Sequence, residues 1–207
     1  MDKQKDVLTI GRSSIDLYSQ QVGADFVDIK GFDAFVGGSP LNIATGCSRL
    51  GLMCSLFTGV GQDKVGDFIL NFLEKEKIDT SHVARIAGAR SSAVVLGIQP
   101  PDRFPLVYYR DNCADIQITI DHALQIAFEE YKLVEISATA LSKEPSKSTV
   151  FFSVEKAYSE NVPVVLDIDF RADQWHDVRA FGLNVRAILP KVKIAIGTEE
   201  EILAAML

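Results

Sequence analysis

The sequence predicts an α/β protein in which helices cover both faces of a parallel sheet and a small β appendage projects from the body. Most of the chain alternates short apolar runs, rich in β-branched residues, with segments of helical period. Two stretches, residues 15–36 and residues 92–109, have no helical period and interrupt this alternation. We therefore assign the alternating segments to the body and the two stretches to the appendage.

Length, composition and charge limit the function. A chain of 207 residues with 47% apolar content can form one domain with a substantial core. Its 28 acidic and 21 basic residues give a net charge of -7, and without a basic run we expect no nucleic-acid partner. No apolar stretch resembles a signal peptide or a membrane span, so we expect a cytoplasmic protein without a membrane partner. The 3 cysteines lack CxxC spacing and are expected to be reduced thiols.

The amino-terminal half begins with a strand at residues 7–10 and continues, after the first irregular stretch, with a helix over residues 40–50. Ser39 is expected to cap this helix, because its hydroxyl can accept from a free N–H group of the first turn. Pro40 suits the first helical position, and Gly51 can end the helix in the left-handed conformation. The sequence therefore marks both ends of this helix.

The remaining elements follow the same alternation. A strand at residues 56–60 precedes a helix capped by Asp63. The apolar spacing in this helix is that of a helix packed on a sheet, with Val65, Phe68, Ile69, Phe72 and Leu73 in the stripe. Further strands, each followed by a helix, are predicted at residues 133–136, 164–168 and 194–196. In the appendage, residues 93–98 and 106–109 are expected to form a hairpin.

The segment most typical of a binding site reads Gly37-Gly38-Ser39-Pro40-Leu41-Asn42-Ile43-Ala44. Two glycines before a helix let a ligand approach the backbone closely, and the N–H groups there favour anions or hydroxyls. The Asn42 amide offers a donor and an acceptor to a sugar hydroxyl. An ordinary turn into a helix explains the glycines, but not an Asn where helix propensity disfavours it. The standard phosphate loops and the GxSxG motif are absent.

This segment resembles the amino-terminal signature of the ribokinase-like (phosphofructokinase-B) carbohydrate kinases. The signature positions are filled at the family's spacing by Gly37, Gly38, Pro40, Asn42, Ala44, Gly51 and Gly61. The run from Gly61 to Gly66 is similar to the family's GxDxxG element. The resemblance implies a ribokinase-like three-layer α/β/α domain over residues 1–207, with a β-lid formed by residues 15–36 and 92–109. It also implies that the carboxy-terminal part of the sheet is missing.

Within the family, the chain is most similar to the kinases of a sugar acid, the 5-dehydro-2-deoxygluconokinases of inositol catabolism. Four segments carry this similarity, at residues 109–115, 139–146, 167–171 and 196–201. The reaction implied is transfer of the γ-phosphoryl group of ATP, with Mg²⁺, to a primary hydroxyl of 5-dehydro-2-deoxy-D-gluconate. The alternatives are a 2-keto-3-deoxygluconate or fructose kinase, and a non-catalytic sugar-binding or dimerisation module.

The resemblance implies a substrate site of six residues, namely Asp16, Gly37, Gly38, Asn42, Tyr108 and Arg110. An ionised Asp16 can accept two sugar hydroxyls; alternatively it is a turn residue. Arg110 ends the lid hairpin, where its guanidinium can grip a substrate carboxylate in a bidentate fork beside Tyr108. Alternatively, Arg110 is a solvated surface charge.

The same resemblance implies a nucleotide and metal site. Arg171 follows the strand at residues 164–168, and the family likeness directs it to nucleotide phosphate. Glu200 occupies the Glu of the family's NxxE motif, which is associated with magnesium and phosphate, although Gly197 replaces the Asn. Thr198 and Glu201 are spaced as a capping box, so we expect Glu201 to be structural. The cofactors implied are ATP and Mg²⁺.

The family's GAGD anion hole and catalytic Asp have no counterpart in these residues and would follow Leu207. We therefore expect no catalytic residue in this chain, and no phosphoryl transfer by it alone. The chain is either a fragment or a truncated gene product. Its expected partners are a sugar acid, ATP and, through the β-lid, a second copy of itself.

Overall fold

The computed structural model of the protein describes residues 4–207, which form a large sheet, a smaller sheet and surrounding helices. In chain order the strands are β1 (Lys5–Ile10), β2 (Ser14–Ser19), β3 (Phe32–Gly37), β4 (Cys54–Gly61), β5 (Val83–Ile86), β6 (Ser92–Leu96), β7 (Leu106–Tyr109), β8 (Tyr131–Ser137), β9 (Val164–Asp167) and β10 (Ile194–Ile196). The helices are α1 (Ser39–Arg49), α2 (Lys64–Lys75), α3 (Ile120–Ala123), α4 (Ser146–Ser159), α5 (Val178–Ile188) and α6 (Glu199–Met206). Within residues 4–207, no helix has the length and apolar character needed to span a membrane.

The large sheet is entirely parallel and has the strand order β10-β9-β8-β1-β4-β5. From β1 the chain adds β4 and β5 on one side, and later β8, β9 and β10 on the other. The direction of strand addition therefore reverses between β1 and β8. Open α/β sheets bind ligands at such a reversal, outside the carboxyl ends of the strands. The predicted α/β fold with a parallel sheet is confirmed, and its topology points to this edge.

The core lies on both faces of the large sheet. Neighbouring residues of β1 point to opposite faces, as strand geometry requires. Val7 packs in a cluster with Leu41 of α1 and Ile69 of α2. Leu8 packs in a second cluster with Val154 of α4 and Phe181 of α5. Helices therefore cover both faces, which explains why the strands read as continuous apolar runs rather than as alternating ones.

The start of α1 differs from the sequence prediction. Gly38, with a φ of 106°, is the residue at the N-cap position, and Ser39 is already helical. The Ser39 hydroxyl makes no capping bond and instead donates to the Asp167 carboxylate at the end of β9. The prediction that Ser39 caps the helix was therefore wrong, because a distant carboxylate competes for its hydroxyl. At the other end, Gly51 has a φ of 90°, as expected for the residue that ends the helix.

The start of α2 agrees with the sequence prediction. The Asp63 side chain accepts a hydrogen bond from the Gly66 N–H at 2.7 Å and another from the Ser91 N–H at 2.8 Å. Burial opposes ionisation of Asp63, but these bonds outweigh it and hold the pKa of the carboxyl below its ordinary value. Ile69 and Leu73 form the buried centre of the α2 stripe. The helix is therefore anchored both at its cap and along its apolar face.

The two stretches without helical period pair in one four-stranded sheet of order β3-β2-β6-β7, which we call the lid sheet. The joining contact is the parallel pair β2–β6, in which Asp16 lies opposite Val94. The predicted hairpin corresponds to β6 and β7, which are antiparallel. Strand β5, at the edge of the large sheet, was not predicted from the sequence. It has only four residues, VARI, and its Arg85 interrupts the apolar run.

Candidate functional site

A cavity of about 600 Å³ lies between the lid sheet and the carboxyl edge of the large sheet. Its walls come from three places: the inner face of the lid sheet, the first turn of α1, and the loops that follow β1 and β9. This is the edge at which the strand order reverses. The cavity therefore lies where the topology alone predicts a ligand site.

Strand alternation determines which lid residues face the cavity. Asp16 and Tyr18 are two apart on β2, so they share a face of the sheet. Asp16 lies opposite Val94, and Val94 lies opposite Tyr108 on β7. All four residues line the cavity. The wall therefore combines one carboxylate and two phenols with apolar surface, which suits a ligand with both hydroxyls and C–H groups.

The first turn of α1 forms the second wall. Gly38 and Asn42 line the cavity, and the Asn42 N–H donates to the Gly38 carbonyl at 2.9 Å. Within the described residues, the Asn42 side-chain amide makes no hydrogen bond, so it is available to a ligand. Gly37 does not line the cavity but lies against Asp16, and a Cβ there would overlap the Asp16 carboxylate. The glycine pair thus leaves room for Asp16 and lets the chain turn sharply into the helix.

Arg12, two residues after the end of β1, enters the cavity from the large sheet. Its Nη1 donates to the Ser14 hydroxyl at 2.8 Å, and Ser14 donates to the Asp16 carboxylate at 2.7 Å. The guanidinium carbon lies 5.2 Å from the centre of the Tyr108 ring, which is cation–π geometry. Arg12 was not among the residues predicted from the sequence.

Arg171 lines the cavity from the loop after β9. It forms ion pairs with Asp169 at 2.7 Å and with Glu201 of α6 at 3.2 Å. Burial alone would lower the pKa of Arg171, but Asp169, Tyr108 and Glu201 raise it above its ordinary value. The predicted capping box at the start of α6 is also present, with the Thr198 N–H donating to Glu201 at 2.8 Å. Glu201 therefore links the α6 terminus to Arg171.

Two carboxyls at this edge have different environments. Asp169 is buried and accepts from the Ser137 hydroxyl at 2.9 Å, in addition to its pair with Arg171. Asp167 has the Ser39 hydroxyl as a donor. Burial raises the pKa of Asp167 above its ordinary value, and the negative charge of Asp169 adds to this effect. The two carboxyls thus concentrate negative charge beside the positive charge of Arg171.

Arg110 is not among the residues that line the cavity. Its side chain is buried, its Nε donates to Asp115 at 2.7 Å, and its Nη1 donates to the Thr139 carbonyl at 3.1 Å. This placement differs from the prediction that Arg110 grips a substrate carboxylate, because a buried partner already balances its charge. Nor is it a solvated surface residue. In this structure Arg110 holds the segment after β7 against the loop after β8.

Glu200 also lies outside the cavity lining. It is exposed in the first turn of α6 and makes no hydrogen bond or ion pair within the described residues. No group of three His, Cys, Asp or Glu side chains in residues 4–207 could hold a metal ion unaided. Mg²⁺ is commonly held by one or two carboxylates together with phosphate oxygens and water. A single free carboxylate fits that mode only when phosphate supplies the remaining ligands.

The family model described as pfkB family carbohydrate kinase matches residues 4–206. The chain belongs to the pfkB family of carbohydrate kinases. It is 33% identical over 201 residues to a 5-dehydro-2-deoxygluconokinase of Bacillus thuringiensis (strain Al Hakam), covering 97% of this chain and 60% of that protein. It is 34% identical over 203 residues to the enzyme of the same name from Geobacillus thermodenitrificans, again covering 97% and 60%.

Solved structures of sugar kinases have the same fold. A sugar kinase of Pyrococcus horikoshii in complex with ATP superposes with a TM-score of 0.84 at 26% identity, over 96% of this chain and 65% of that one. A 2-dehydro-3-deoxygluconokinase of Thermotoga maritima superposes with a TM-score of 0.87 at 21% identity, over 98% and 62%. The chain spans about 60% of the length of the curated relatives it matches.

Five of the site residues predicted from the sequence line this one cavity, namely Asp16, Gly38, Asn42, Tyr108 and Arg171. Gly37, Arg110 and Glu200 lie outside that lining. The sequence prediction missed three titratable residues of the lining, Arg12, Tyr18 and Asp169. Two signals could have found them. Arg12 and Asp169 lie within two residues of the ends of predicted strands, and Tyr18 is two residues from Asp16, on the same face of its strand.

Proposed function

We propose that this chain provides the sugar site of an ATP-dependent kinase whose substrate is the sugar acid 5-dehydro-2-deoxy-D-gluconate, an intermediate of inositol catabolism. The observation that carries the proposal is the composition of the cavity. It combines a carboxylate and an amide, which suit hydroxyl groups, with two guanidinium groups, which suit negative charge. The names of the curated relatives support the same substrate.

In this proposal Asp16 and Asn42 bind sugar hydroxyls, and Tyr108 packs against the carbon chain. Gly38 keeps the approach to the backbone open, and Gly37 leaves room for the Asp16 carboxylate. Arg171 faces the nucleotide phosphate. No catalytic base is assigned within residues 4–207.

Glu200 would hold Mg²⁺ jointly with phosphate oxygens of ATP. The ion, when bound, would neutralise phosphate charge. The exposed position of Glu200 at the start of α6, without a competing cation, supports this assignment. A second copy of the chain would bind the outer face of the lid sheet, where Val107 and Tyr109 are 43% and 61% exposed.

Replacing Asp16 with Asn tests the sugar site. The variant keeps the shape of the side chain but removes a charge-assisted hydrogen bond, so sugar-acid affinity should fall by about 1.5–3 kcal/mol, or roughly 10- to 150-fold. Titration calorimetry measures the affinity, and circular dichroism verifies the fold. Asp102→Asn, at an exposed position in the lid hairpin, is the matched control and should bind like the wild type.

Equal affinity of the wild type and Asp16→Asn for the sugar acid would contradict the proposed site. A substrate panel that includes 2-keto-3-deoxygluconate and fructose tests the identity of the sugar, since both alternatives are kinases of this family. Tighter binding of either compound than of 5-dehydro-2-deoxy-D-gluconate would overturn the substrate while leaving the site in place.

A further inference from the structure

Three arginines lie at or near the cavity, and two of them already have carboxylate partners. Arg110 is paired with the buried Asp115. Arg171 is paired with Asp169 and with Glu201. Arg110 is therefore paired outside the cavity lining, and the two carboxylates beside Arg171 already offset part of its charge.

Arg12 is different. It is only 8% exposed, yet within residues 4–207 it forms no ion pair. Within the described residues, the Arg12 guanidinium connects to the Asp16 carboxylate only indirectly, through the Ser14 hydroxyl that lies between the two groups. A guanidinium group withdrawn from water without a counter-charge is unfavourable, and one hydroxyl with one aromatic ring offsets only part of that cost. This imbalance favours an anionic ligand.

We propose that Arg12 is the residue that binds the carboxylate of the sugar acid and so determines the preference for an acid over a neutral sugar. This inference rests on the proposed function. Ser14 and the Tyr108 ring both contact the guanidinium, and within residues 4–207 its remaining N–H groups make no hydrogen bond, which leaves them for the ligand. A planar fork of N–H donors matches the two oxygens of a carboxylate.

The arrangement also orients the substrate. Asp16 repels a carboxylate, so the acid end cannot occupy the position where Asp16 and Asn42 meet hydroxyl groups. Ser14 accepts from Arg12 and donates to Asp16, and it thereby holds the positive and negative groups apart. The carboxylate then lies beside Arg12 and Tyr108, with the hydroxyl-bearing carbons toward Asp16.

The test compares two ligands, 5-dehydro-2-deoxy-D-gluconate and the neutral alcohol in which its carboxylate is reduced. Titration calorimetry gives the ratio of their affinities for the full chain and for Arg12→Gln and Arg12→Lys. We expect the ratio to fall roughly 10- to 100-fold in Arg12→Gln, with an intermediate fall in Arg12→Lys, because lysine keeps the charge but lacks the fork. Affinity for the neutral alcohol should change little. Arg103→Gln, exposed in the lid hairpin, should keep the wild-type ratio.

The outcomes separate this inference from the proposed function. A wild type that prefers the acid, with the preference unchanged in the Arg12 variants, overturns the role of Arg12 alone. A wild type without preference, or without binding, contradicts the proposed substrate and this inference with it. If circular dichroism shows that Arg12→Gln is unfolded, the test depends on Arg12→Lys. A lower ratio of acid to alcohol affinity in that variant supports the role of Arg12, and an unchanged ratio overturns it.

Discussion

At the scale of single residues, Glu135 is the least favourably placed ionisable group. It lies in the middle of β8, 3% exposed, and neither carboxyl oxygen has a hydrogen-bond partner among the residues that the structure describes. Thr9, its neighbour on β1, also has an unpartnered hydroxyl. Burial raises the pKa of Glu135 well above its ordinary value, and the charges of Asp167 and Asp169 act in the same direction.

The raised pKa makes stability depend on pH in a defined direction. The folded protein binds the Glu135 proton more tightly than the unfolded chain does. The contribution of Glu135 to the free energy of unfolding is therefore fully present below its unfolded pKa and is lost as the pH rises toward its folded pKa. Glu135→Gln removes this titration. The variant should therefore have a free energy of unfolding about 1–3 kcal/mol above the wild type near pH 8, and close to the wild type near pH 4.

Urea unfolding at the two pH values measures both effects. Glu129→Gln, at an exposed position, is the control and should match the wild type throughout. A constant difference between Glu135→Gln and the wild type across this range would show that Glu135 does not titrate as described.

At the scale of elements, the junction between β3 and α1 positions residues of the proposed sugar site. Gly38 has a φ of 106°, and a Cβ there would overlap the backbone carbonyl of Arg12. Gly38→Ala should therefore lower the free energy of unfolding by at least about 1–3 kcal/mol and weaken sugar binding, since Arg12 and Asn42 would both shift.

A second glycine in the same helix provides the contrast. Gly46 lies within α1, and a Cβ there would meet no atom within 4 Å. Gly46→Ala should raise the free energy of unfolding by about 0.5–1 kcal/mol, with sugar binding unchanged. Thermal unfolding and titration calorimetry on Gly38→Ala and Gly46→Ala separate the effect of helix propensity from the effect of the junction between β3 and α1. Similar effects of the two substitutions would contradict a special role for Gly38.

Features that depend on residues close in the chain were predicted correctly more often than features that depend on contacts between distant residues. The Asp63 cap and the Thr198–Glu201 box depend on residues close in the chain, and both were predicted correctly. Ser39 was mispredicted because its partner, Asp167, lies 128 residues away. Arg110 and Asp115 are five residues apart, but nothing in that spacing showed that both would be buried. The site was therefore predictable where the signature is local, and not where strands bring distant residues together.

At the scale of the whole molecule, two apolar surfaces can contact other copies. One is the outer face of the lid sheet. The other is β10, which within residues 4–207 pairs with β9 alone and leaves Ile194 and Ile196 more than half exposed at the edge of the large sheet. Unpaired edge strands with apolar side chains promote association. The overall charge of -7 opposes it, but acts on the whole surface rather than at these faces.

We expect the chain to self-associate with increasing concentration, through β10 in addition to the proposed lid contact. Ile196→Lys places a charge at the edge strand and should reduce the species larger than a dimer, because contact would bury the new charge. Val107→Lys should instead weaken the dimer formed by the lid sheet. Leu124→Lys, at an exposed position in neither surface, is the control. Sedimentation velocity over a range of concentrations distinguishes these effects. Ile196→Lys could leave the large species unchanged while Val107→Lys removes them. In that case the lid sheet alone mediates association, and the exposed edge at β10 does not contribute to it.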